Sequence, residues 1–372
     1  MPRSQAKRAA QRSGGRTGRR RATQPRPRRV KANKRPALRL QFPATSANLG
    51  PGFDAAAVAM KMHLRITASP SREFRLRASG RDAEICAQLS PNLILDTYRD
   101  ILEKAQRKII PLKLAIRNRI PIGKGCGSSA AARLAGITLA AHFGKLKWSN
   151  TQILEEAARR EGHGDNAAAC WLGGLAIQAG GNGNEFTAAA LPGKSRWPLL
   201  LAMPRSGLAT EESRQALPMS YDRSDAVQNV QNAMLLLLGW QARRADWLRL
   251  AMRDRMHEPY RERLCPLLKV LGALRGEEGF AGVALSGAGP GVLMVLDPAV
   301  ARWRTLERVR QQLRQRQTGA ELIATEVEAH GAEFFWERRQ RKGKARRRGK
   351  ARGEKRKGKG KGSRGKKQGR PA

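Results

Sequence analysis

A chain of 372 residues, 40% of them hydrophobic, is long enough for about two domains with ordinary cores. Its 73 Lys and Arg against 30 Asp and Glu give a formal net charge of +43. Residues 1–36 hold 14 cations and no acid, and residues 338–372 hold 19 cations and one acid, which leaves +11 for residues 37–337. Because three quarters of the charge lies at the two ends, a protein that is histone-like throughout is excluded.

The cysteines and the hydrophobic runs exclude two further classes. The four cysteines are Cys86, Cys126, Cys170 and Cys265. They lie far apart without a C-x-x-C pair, which argues against a disulfide framework or a structural zinc site and favours a reducing compartment, the cytoplasm. No apolar run approaches the roughly 18 residues that a membrane-spanning helix needs, so we expect no membrane partner.

The predicted elements begin after the first basic tail. In chain order they are strands over 37–42, 63–68 and 112–116, helices over 129–143 and 153–161, a strand after residue 174, a strand over 199–203, helices over 226–240 and 245–252, and two strands joined by a glycine turn within 283–295. Ser224 is the expected N-cap of the helix over 226–240. Strands mixed with helices predict an α/β or α+β protein, and the low-complexity tails are expected to be disordered.

A glycine- and serine-rich loop directly before the alanine-rich helix is the sharpest functional signal. Its residues are Pro121, Ile122, Gly123, Lys124, Gly125, Cys126, Gly127, Ser128, Ser129, Ala130 and Ala131. Closely spaced glycines let the backbone approach an anion, and the N-terminus of a helix adds N–H donors and positive potential. The spacing is neither that of the nucleotide P-loop nor that of the dinucleotide fingerprint. The loop therefore predicts a different triphosphate-binding site.

This loop resembles the phosphate motif P-x-x-x-G-L-G-S-S-A of the GHMP kinases (galactokinase, homoserine kinase, mevalonate kinase and phosphomevalonate kinase), with Cys126 in place of leucine. Residues 43–54, PATSANLGPGFD, are similar to the first motif of that superfamily, and residues 285–290, LSGAGP, to its third. Three further segments resemble homoserine kinases in particular: EGHGDN at 161–166, TEESRQALP at 210–218 and HEPYRERLCP at 257–266.

The resemblance implies an α+β fold with two domains between disordered basic tails at 1–36 and 338–372. The N-terminal domain, over 37–195, would bind ATP and contain an unusual left-handed β-α-β crossover. The C-terminal domain, over 196–337, would be ferredoxin-like. The third motif, with Ser286, Gly287, Ala288 and Gly289, would close the cleft.

The resemblance also implies a reaction, the ATP-dependent phosphorylation of L-homoserine in threonine biosynthesis. Arg214 and Arg261 would hold the amino-acid carboxylate, because a guanidinium presents a planar fork that matches it. The other residues expected to line the substrate pocket are Asn48, Asp54, Asp165 and Asn166. Asp54 is also a catalytic candidate. Asn166 stands where other kinases of the superfamily have aspartate, so the hydroxyl would lose its proton to the phosphate itself or through Asp54.

Magnesium is the expected cofactor beside ATP, and it takes oxygen ligands. Ser128 would supply a hydroxyl. The resemblance implies Glu155 as the carboxylate, because relatives place their magnesium glutamate eleven residues before the position of Asn166, and the adjacent Glu156 is the alternative. His163 is expected to be a structural loop residue.

Two other functions stay open at this point. The chain could be a GHMP-fold kinase of another small alcohol, such as mevalonate. It could instead be a catalytically lapsed kinase fold that binds nucleic acid through its basic tails, since flexible cations bind polyanions by counterion release. Assembly into a homodimer is a further possibility.

Removal of both tails tests the separation of catalysis from polyanion binding. A chain restricted to residues 37–337 should keep its phosphotransferase activity, because every motif lies inside it. The full chain should bind RNA or DNA without sequence preference, with an affinity that falls steeply with salt, and the shortened chain should lose most of that affinity. Loss of phosphoryl transfer on truncation would contradict the prediction.

Overall fold

The computed structural model describes residues 37–181, 184–191, 197–205 and 210–336. Both predicted basic tails lie outside these residues. Within them, no helix combines the length and the apolar character that a membrane crossing requires.

The described residues form strands and helices in two sheets with flanking helices. The strands are β1 (Leu38–Asn48), β2 (Gly52–Pro70), β3 (Arg75–Gly80), β4 (Leu112–Asn118), β5 (Leu175–Gly181), β6 (Asn184–Ala190), β7 (Pro198–Met203), β8 (Phe280–Leu285), β9 (Val292–Leu296), β10 (Glu321–Glu326) and β11 (Glu333–Trp336). The helices are α1 (Ala83–Ala87), α2 (Leu93–Lys104), α3 (Ser128–Phe143), α4 (Asn150–Glu161), α5 (Asp165–Leu172), α6 (Thr210–Gln215), α7 (Arg223–Ala242), α8 (Ala245–Ala251), α9 (Glu258–Arg261), α10 (Pro266–Gly272) and α11 (Arg302–Gln315).

The first sheet has the order β11-β1-β2-β4-β3, with β5 paired to β2 and β6 to β5. Strand β4 alternates strictly between buried and exposed residues, so that every second side chain is buried. This period of two gives the sheet one apolar face and one solvent face. On the apolar face Leu40, Ile66 and Leu114 join Leu95 of α2 and Leu134 of α3 in one hydrophobic core.

Strands β3 and β4 are parallel neighbours, joined through α1 and α2. This is the β-α-β connection expected in the N-terminal half. Its left hand stays a prediction.

The second sheet is antiparallel, with the order β10-β7-β9-β8. If β7, β8, β9 and β10 are numbered 1 to 4, their order in the sheet is 4-1-3-2. Helix α11 lies in the chain between strands 3 and 4. This is the ferredoxin-like arrangement. The predicted α+β fold class is therefore confirmed.

The N-terminus of α7 differs from the prediction. The helix begins at Arg223, one residue before Ser224, and Asp222 occupies the N-cap position without a capping hydrogen bond from its side chain. The prediction that Ser224 caps this helix is wrong.

Helix α3 fixes the loop that precedes it. Nine of its residues are buried, from Ala130 to Ala140, so the helix is anchored along most of its length. Gly136 lets it approach α2 closely, since a Cβ atom at Gly136 would lie 2.6 Å from the carbonyl oxygen of Ile94. The first turn of α3 is thus held in place by the core and not by the loop itself.

Candidate active site

A cavity of about 500 Å³ brings the three sequence motifs together. Its lining comes from the end of β1, the α1–α2 segment, the glycine loop before α3, the segment between α4 and α5, α6, α9 and the turn between β8 and β9. A volume of this size suits a small-molecule site.

The glycine loop has three glycines with positive φ angles, and at two of them there is no room for a side chain. Gly123, Gly125 and Gly127 have φ angles of 68°, 75° and 64°. A Cβ atom at Gly125 would lie 1.9 Å from the carbonyl oxygen of Ser286, and one at Gly127 would lie 1.8 Å from Thr45 Oγ1. The loop therefore packs directly on the first and third motifs. Because α3 begins at Ser128, its first backbone N–H groups have no partner within the helix.

The hydroxyl of Ser286 joins all three motifs. It donates to the carbonyl oxygen of Gly125 at 2.7 Å and lies 2.8 Å from Ser46 Oγ. Since a hydroxyl has one proton, Ser46 must be the donor in the second bond. Both serines are fully buried. A further bond, from Thr45 N to the carbonyl oxygen of Cys126 at 3.1 Å, joins the first motif to the loop again.

Asn48 holds the turn that presents Asp54. Its Nδ2 donates to the carbonyl oxygen of Gly287 at 2.9 Å, and its Oδ1 accepts from Asp54 N at 3.1 Å. Asn48 and Asp54 both have positive φ angles, 74° and 52°. Such strain in non-glycine residues is typical of functional sites.

Two carboxylates and a histidine converge on one side of the cavity. Ligand atoms of Asp54, His163 and Asp165 all lie within 4.8 Å of one another, a spacing that a single cation can bridge. Asp165 is 1% exposed, and its Oδ1 lies 2.7 Å from His163 Nδ1 and accepts from Asn166 N at 2.6 Å. Burial alone would lower the pKa of His163, but the hydrogen bond and the charge of Asp165 raise it on balance. His163, expected as a structural loop residue, also lines the cavity.

Arg214 and Arg261 line the cavity beside this acidic group. Arg214 pairs with Asp54, Nη2 to Oδ1, at 2.8 Å, and both side chains are about one third exposed. Arg261 is 1% exposed and also lines the cavity. Among the described residues no carboxylate lies within salt-bridge distance of Arg261, although a buried charge normally requires a partner.

Arg261 is oriented by neutral groups. Its Nε donates to the carbonyl oxygen of Ser213 at 3.1 Å, its Nη1 lies 3.3 Å from His257 Nδ1, and its guanidinium stands 5.2 Å from the ring centre of Phe53. Because a guanidinium group only donates hydrogen bonds, Nδ1 of His257 must be the acceptor. The ring proton of His257 is therefore on Nε2, which donates to the carbonyl oxygen of Gly50 at 3.0 Å. Burial lowers the pKa of Arg261 most, and the positive charge of Arg214 lowers it further.

The structure does not bring the predicted magnesium carboxylate to the cavity. Glu155 is exposed on α4 and does not line the cavity, and Glu156 forms hydrogen bonds with Arg159 and Arg160. Glu161, at the end of the same helix, does line it.

Glu161 lies against the start of α3. Its Oε2 accepts from Ser129 Oγ at 2.8 Å, and its Oε1 accepts from Arg133. A carboxylate therefore stands beside the helix N-terminus that also carries Ser128, although not the carboxylate that the spacing predicted.

The α1–α2 segment forms an end of the cavity that the sequence did not predict. Its cavity-lining residues are Ile85, Cys86, Pro91, Asn92, Leu93, Ile94 and Asp96. Asn92 caps α2, since its Oδ1 accepts from Leu95 N at 3.2 Å, and its own N–H donates to Asp96 Oδ2 at 2.9 Å. The sequence did contain a signal for the start of this helix: Asn92 lies four residues before Asp96, where a run of apolar residues with helical spacing begins.

Most predicted site residues meet in this cavity. Those that line it are Asn48, Asp54, Ile122, Gly123, Gly125, Cys126, Gly127, Ser128, Ser129, Asp165, Asn166, Arg214, Arg261, Gly287, Ala288 and Gly289. The predicted residues that do not are Pro121, Lys124, Ala130, Ala131, Glu155 and Ser286. Lys124 points its Nζ to the carbonyl oxygen of Arg205 at 2.6 Å. Ser286 supports the cavity from behind.

Comparison with known proteins agrees with this geometry. The GHMP kinases N terminal domain matches residues 92–174. The homoserine kinase of Solibacter usitatus is 41% identical over 258 residues, 69% of this chain and 84% of that protein. The homoserine kinase of Synechococcus is 35% identical over 278 residues, 74% of this chain and 89% of that protein. The crystal structure of homoserine kinase from Cytophaga hutchinsonii has the same fold, with a TM-score of 0.68 at 22% identity, over 81% of this chain and 98% of that one.

Two glycine substitutions test the packing of the loop. Gly127→Ala should lower the free energy of unfolding by roughly 3 kcal/mol, because its methyl group would collide with Thr45 in addition to straining the backbone. Gly123→Ala shares the positive φ but meets no atom within 4 Å, so it should cost only about 1 to 2 kcal/mol of strain. Urea denaturation measures both. Equal losses would show that the loop does not pack tightly on the first motif.

Proposed function

The chain belongs to the homoserine kinase family of the GHMP kinases, and from this premise we propose that it transfers the γ-phosphoryl group of ATP to the hydroxyl group of L-homoserine. The product is O-phospho-L-homoserine, an intermediate of threonine biosynthesis.

The buried guanidinium of Arg261 is the observation that carries the choice of an amino acid as the acceptor. A buried cation without a carboxylate partner among the described residues favours an anion that arrives from outside. Arg214 supplies a second guanidinium, and its charge already disfavours the protonated form of Arg261. A substrate carboxylate relieves this repulsion, whereas a neutral alcohol does not.

The acidic group beside the two arginines suits the other charge of an amino acid. Asp54 and Asp165 offer carboxylate oxygens within 4.8 Å of each other, so one ammonium group can be bonded to both. The cavity thus supplies one site for the carboxylate and one for the ammonium of the same zwitterion. In this arrangement the pairing of Asp54 with Arg214 favours a role in binding for Asp54 over that of a general base.

The glycine loop fits the triphosphate of ATP. Side chains are excluded at Gly125 and Gly127, so backbone N–H groups at the start of α3 are accessible to phosphate oxygens. The apolar end formed by Ile85, Leu93 and Ile94 suits a purine base.

Magnesium fits the oxygen donors at the same place. Ser128 would supply a hydroxyl and Glu161 a carboxylate, and this set replaces the predicted Glu155. Magnesium, when bound with ATP, neutralises negative charge on the phosphates.

Catalysis requires little covalent chemistry from the protein. Phosphoryl transfer passes through a loose transition state in which positioning and charge neutralisation dominate. Asn166 lines the cavity, its Oδ1 already accepts from Thr45 Oγ1 at 2.6 Å, and its Nδ2 donates to Asp165 Oδ1 at 3.3 Å, which leaves the second proton of Nδ2 for the substrate. Asn166 does not act as a base, so the hydroxyl proton passes to a phosphoryl oxygen.

We further propose the cytoplasm as the location and two domains, 37–195 and 196–337, as the functional units. The four cysteines are free, and three of them are buried. Burial raises the pKa of Cys126 to about 12, which makes it a packing residue and not a reactive thiol.

An acceptor panel tests the reaction. ADP release should be fastest with L-homoserine and much slower with serine, threonine, mevalonate and shikimate. Turnover of mevalonate or shikimate without turnover of homoserine would contradict the acceptor and leave the kinase class standing.

Substitution of Arg261 tests the carboxylate site. Arg261→Leu should raise the KM for homoserine roughly 10- to 100-fold with little change in the KM for ATP, since a charge-assisted pair contributes about 1.5 to 3 kcal/mol. Arg261→Lys should rescue only in part, because it lacks the planar fork. Arg263→Leu is the matched control, an exposed arginine of the same segment. An unchanged homoserine KM in a folded Arg261→Leu variant would place the carboxylate elsewhere.

Two glutamates of one helix test the magnesium assignment. Glu161→Gln should lower kcat about 100-fold or more and raise the magnesium concentration needed for half-maximal rate. Glu155→Gln, also on α4 but exposed, should change kcat less than about twofold. A strong effect of Glu155→Gln with normal activity of Glu161→Gln would restore the assignment made from spacing alone.

A further inference from the structure

The solvent face of the first sheet carries a regular set of cations. The exposed residues are Arg39 on β1, Arg65 on β2, Arg75 and Arg77 on β3, and Lys113 and Arg117 on β4. We call these six residues the basic face. They alternate with buried apolar residues, so the period of the strands places all six on the side away from the core.

The strand register arranges the basic face in rows. One row is Ser69, Lys113 and Arg75, the next is Arg39, Thr67, Ala115 and Arg77, and the third is Gln41, Arg65, Arg117 and Ser79. Strands lie about 4.8 Å apart and rise about 3.3 Å per residue, so the six cations fall within roughly 15 Å in each direction.

Acidic residues are scarce on the strands of the basic face. Residues 38–48, 63–70, 75–80 and 112–118 contain no Asp or Glu. Arg75 is bonded to Glu73, and Glu333 at the edge of the sheet accepts from Gln41. Among the described residues, Arg77, Lys113 and Arg117 have no carboxylate within salt-bridge distance, so they are available to an external anion.

Two pairs of like charges stand directly opposite one another. Arg65 faces Arg117 across β2 and β4, and Lys113 faces Arg75 across β4 and β3. Like charges in register destabilise a sheet. The repulsion within each pair costs stability, and a bound polyanion would offset it.

We propose that the basic face binds the phosphate backbone of a nucleic acid, at a surface outside the kinase cleft. A duplex presents one negative charge per about 1.7 Å of its axis, so a face of roughly 15 Å meets several phosphates. Five of the six cations are arginines, whose planar fork matches phosphate oxygens. Readout of base sequence is not part of the proposal, because the face holds no recognition element.

The composition of the face favours nucleic acid over an anionic membrane. Membrane-surface elements combine cations with apolar side chains that insert among the acyl chains. On strands β1 to β4 the other residues of the face are Gln41, Thr67, Ser69, Ser79 and Ala115, and none of them is a large apolar residue.

The test compares two triple variants of the full chain with equal net charge. The face variant carries Arg77→Gln, Lys113→Gln and Arg117→Gln, and the control variant carries Lys269→Gln, Arg304→Gln and Arg316→Gln. All six side chains are exposed, and the controls lie on or next to α10 and α11, away from the first sheet. Affinity for a fluorescein-labelled 30-base-pair duplex of mixed sequence is measured by anisotropy over a salt series.

The face variant should bind at least about tenfold more weakly than the unmodified chain near 0.1 M salt, with a salt slope reduced by roughly 1 for each lost phosphate contact. The control variant should change affinity less than about threefold. Both should keep kinase activity, which shows that they are folded, since no substituted residue lines the cavity.

Equal weakening in both variants would overturn the proposal, because net charge alone would then explain binding. Unchanged binding by the face variant would assign all affinity to the termini and overturn it as well. In a parallel assay with vesicles containing phosphatidylserine, binding that depends on the face, together with duplex binding that does not, would identify a membrane surface instead of a nucleic acid.

Discussion

The buried hydroxyl of Ser286 is the junction on which the cavity depends. It donates to the glycine loop and accepts from Ser46, so one side chain fixes three segments that lie far apart in sequence. No side chain fits at Gly125, because the carbonyl oxygen of Ser286 occupies the place where a Cβ atom would lie. The N-terminus of α3 is held from the other side by the core. The phosphate loop is thus preorganised between a rigid helix and a second sheet, which is what charge stabilisation requires.

The charges of the cavity suit the zwitterion that we propose as the substrate. Asp54 pairs with Arg214, and Asp165 is satisfied by His163 and the backbone, whereas Arg261 has no carboxylate partner among the described residues. Neutral groups orient this guanidinium without neutralising it. An incoming carboxylate completes the set. The basic face follows a different principle, since its cations are exposed and repel one another across strands, so its partner must be extended and repeatedly charged.

The choice between Glu155 and Glu161 shows where sequence spacing was not sufficient. Counting eleven residues back from Asn166 indicated Glu155, but that count assumes the same helix and loop lengths as in relatives. Here α4 continues to Glu161, and its buried residues Ile153, Leu154 and Ala157 turn Glu155 toward solvent. Helix α2 was missed although Ile94, Tyr98 and Ile101 form an apolar stripe with helical spacing. Packing places α2 beside the glycine loop, and this position makes the helix part of the cavity.

The sequence by itself determined the family, the α+β class, the glycine loop and the two arginines that face the cavity, because each depends on a local pattern: glycine spacing before a helix former, period-two strands, or a motif with its arginine. It also determined the concentration of charge in the termini. Only the tertiary structure decided that Glu161 and not Glu155 reaches the cavity, that Arg261 is buried without an acid among the described residues, and that six scattered cations share one face of a sheet. The physical reason is the same in each case. These properties depend on which residues meet across helices and strands, and such contacts are set by packing and register between segments distant in sequence.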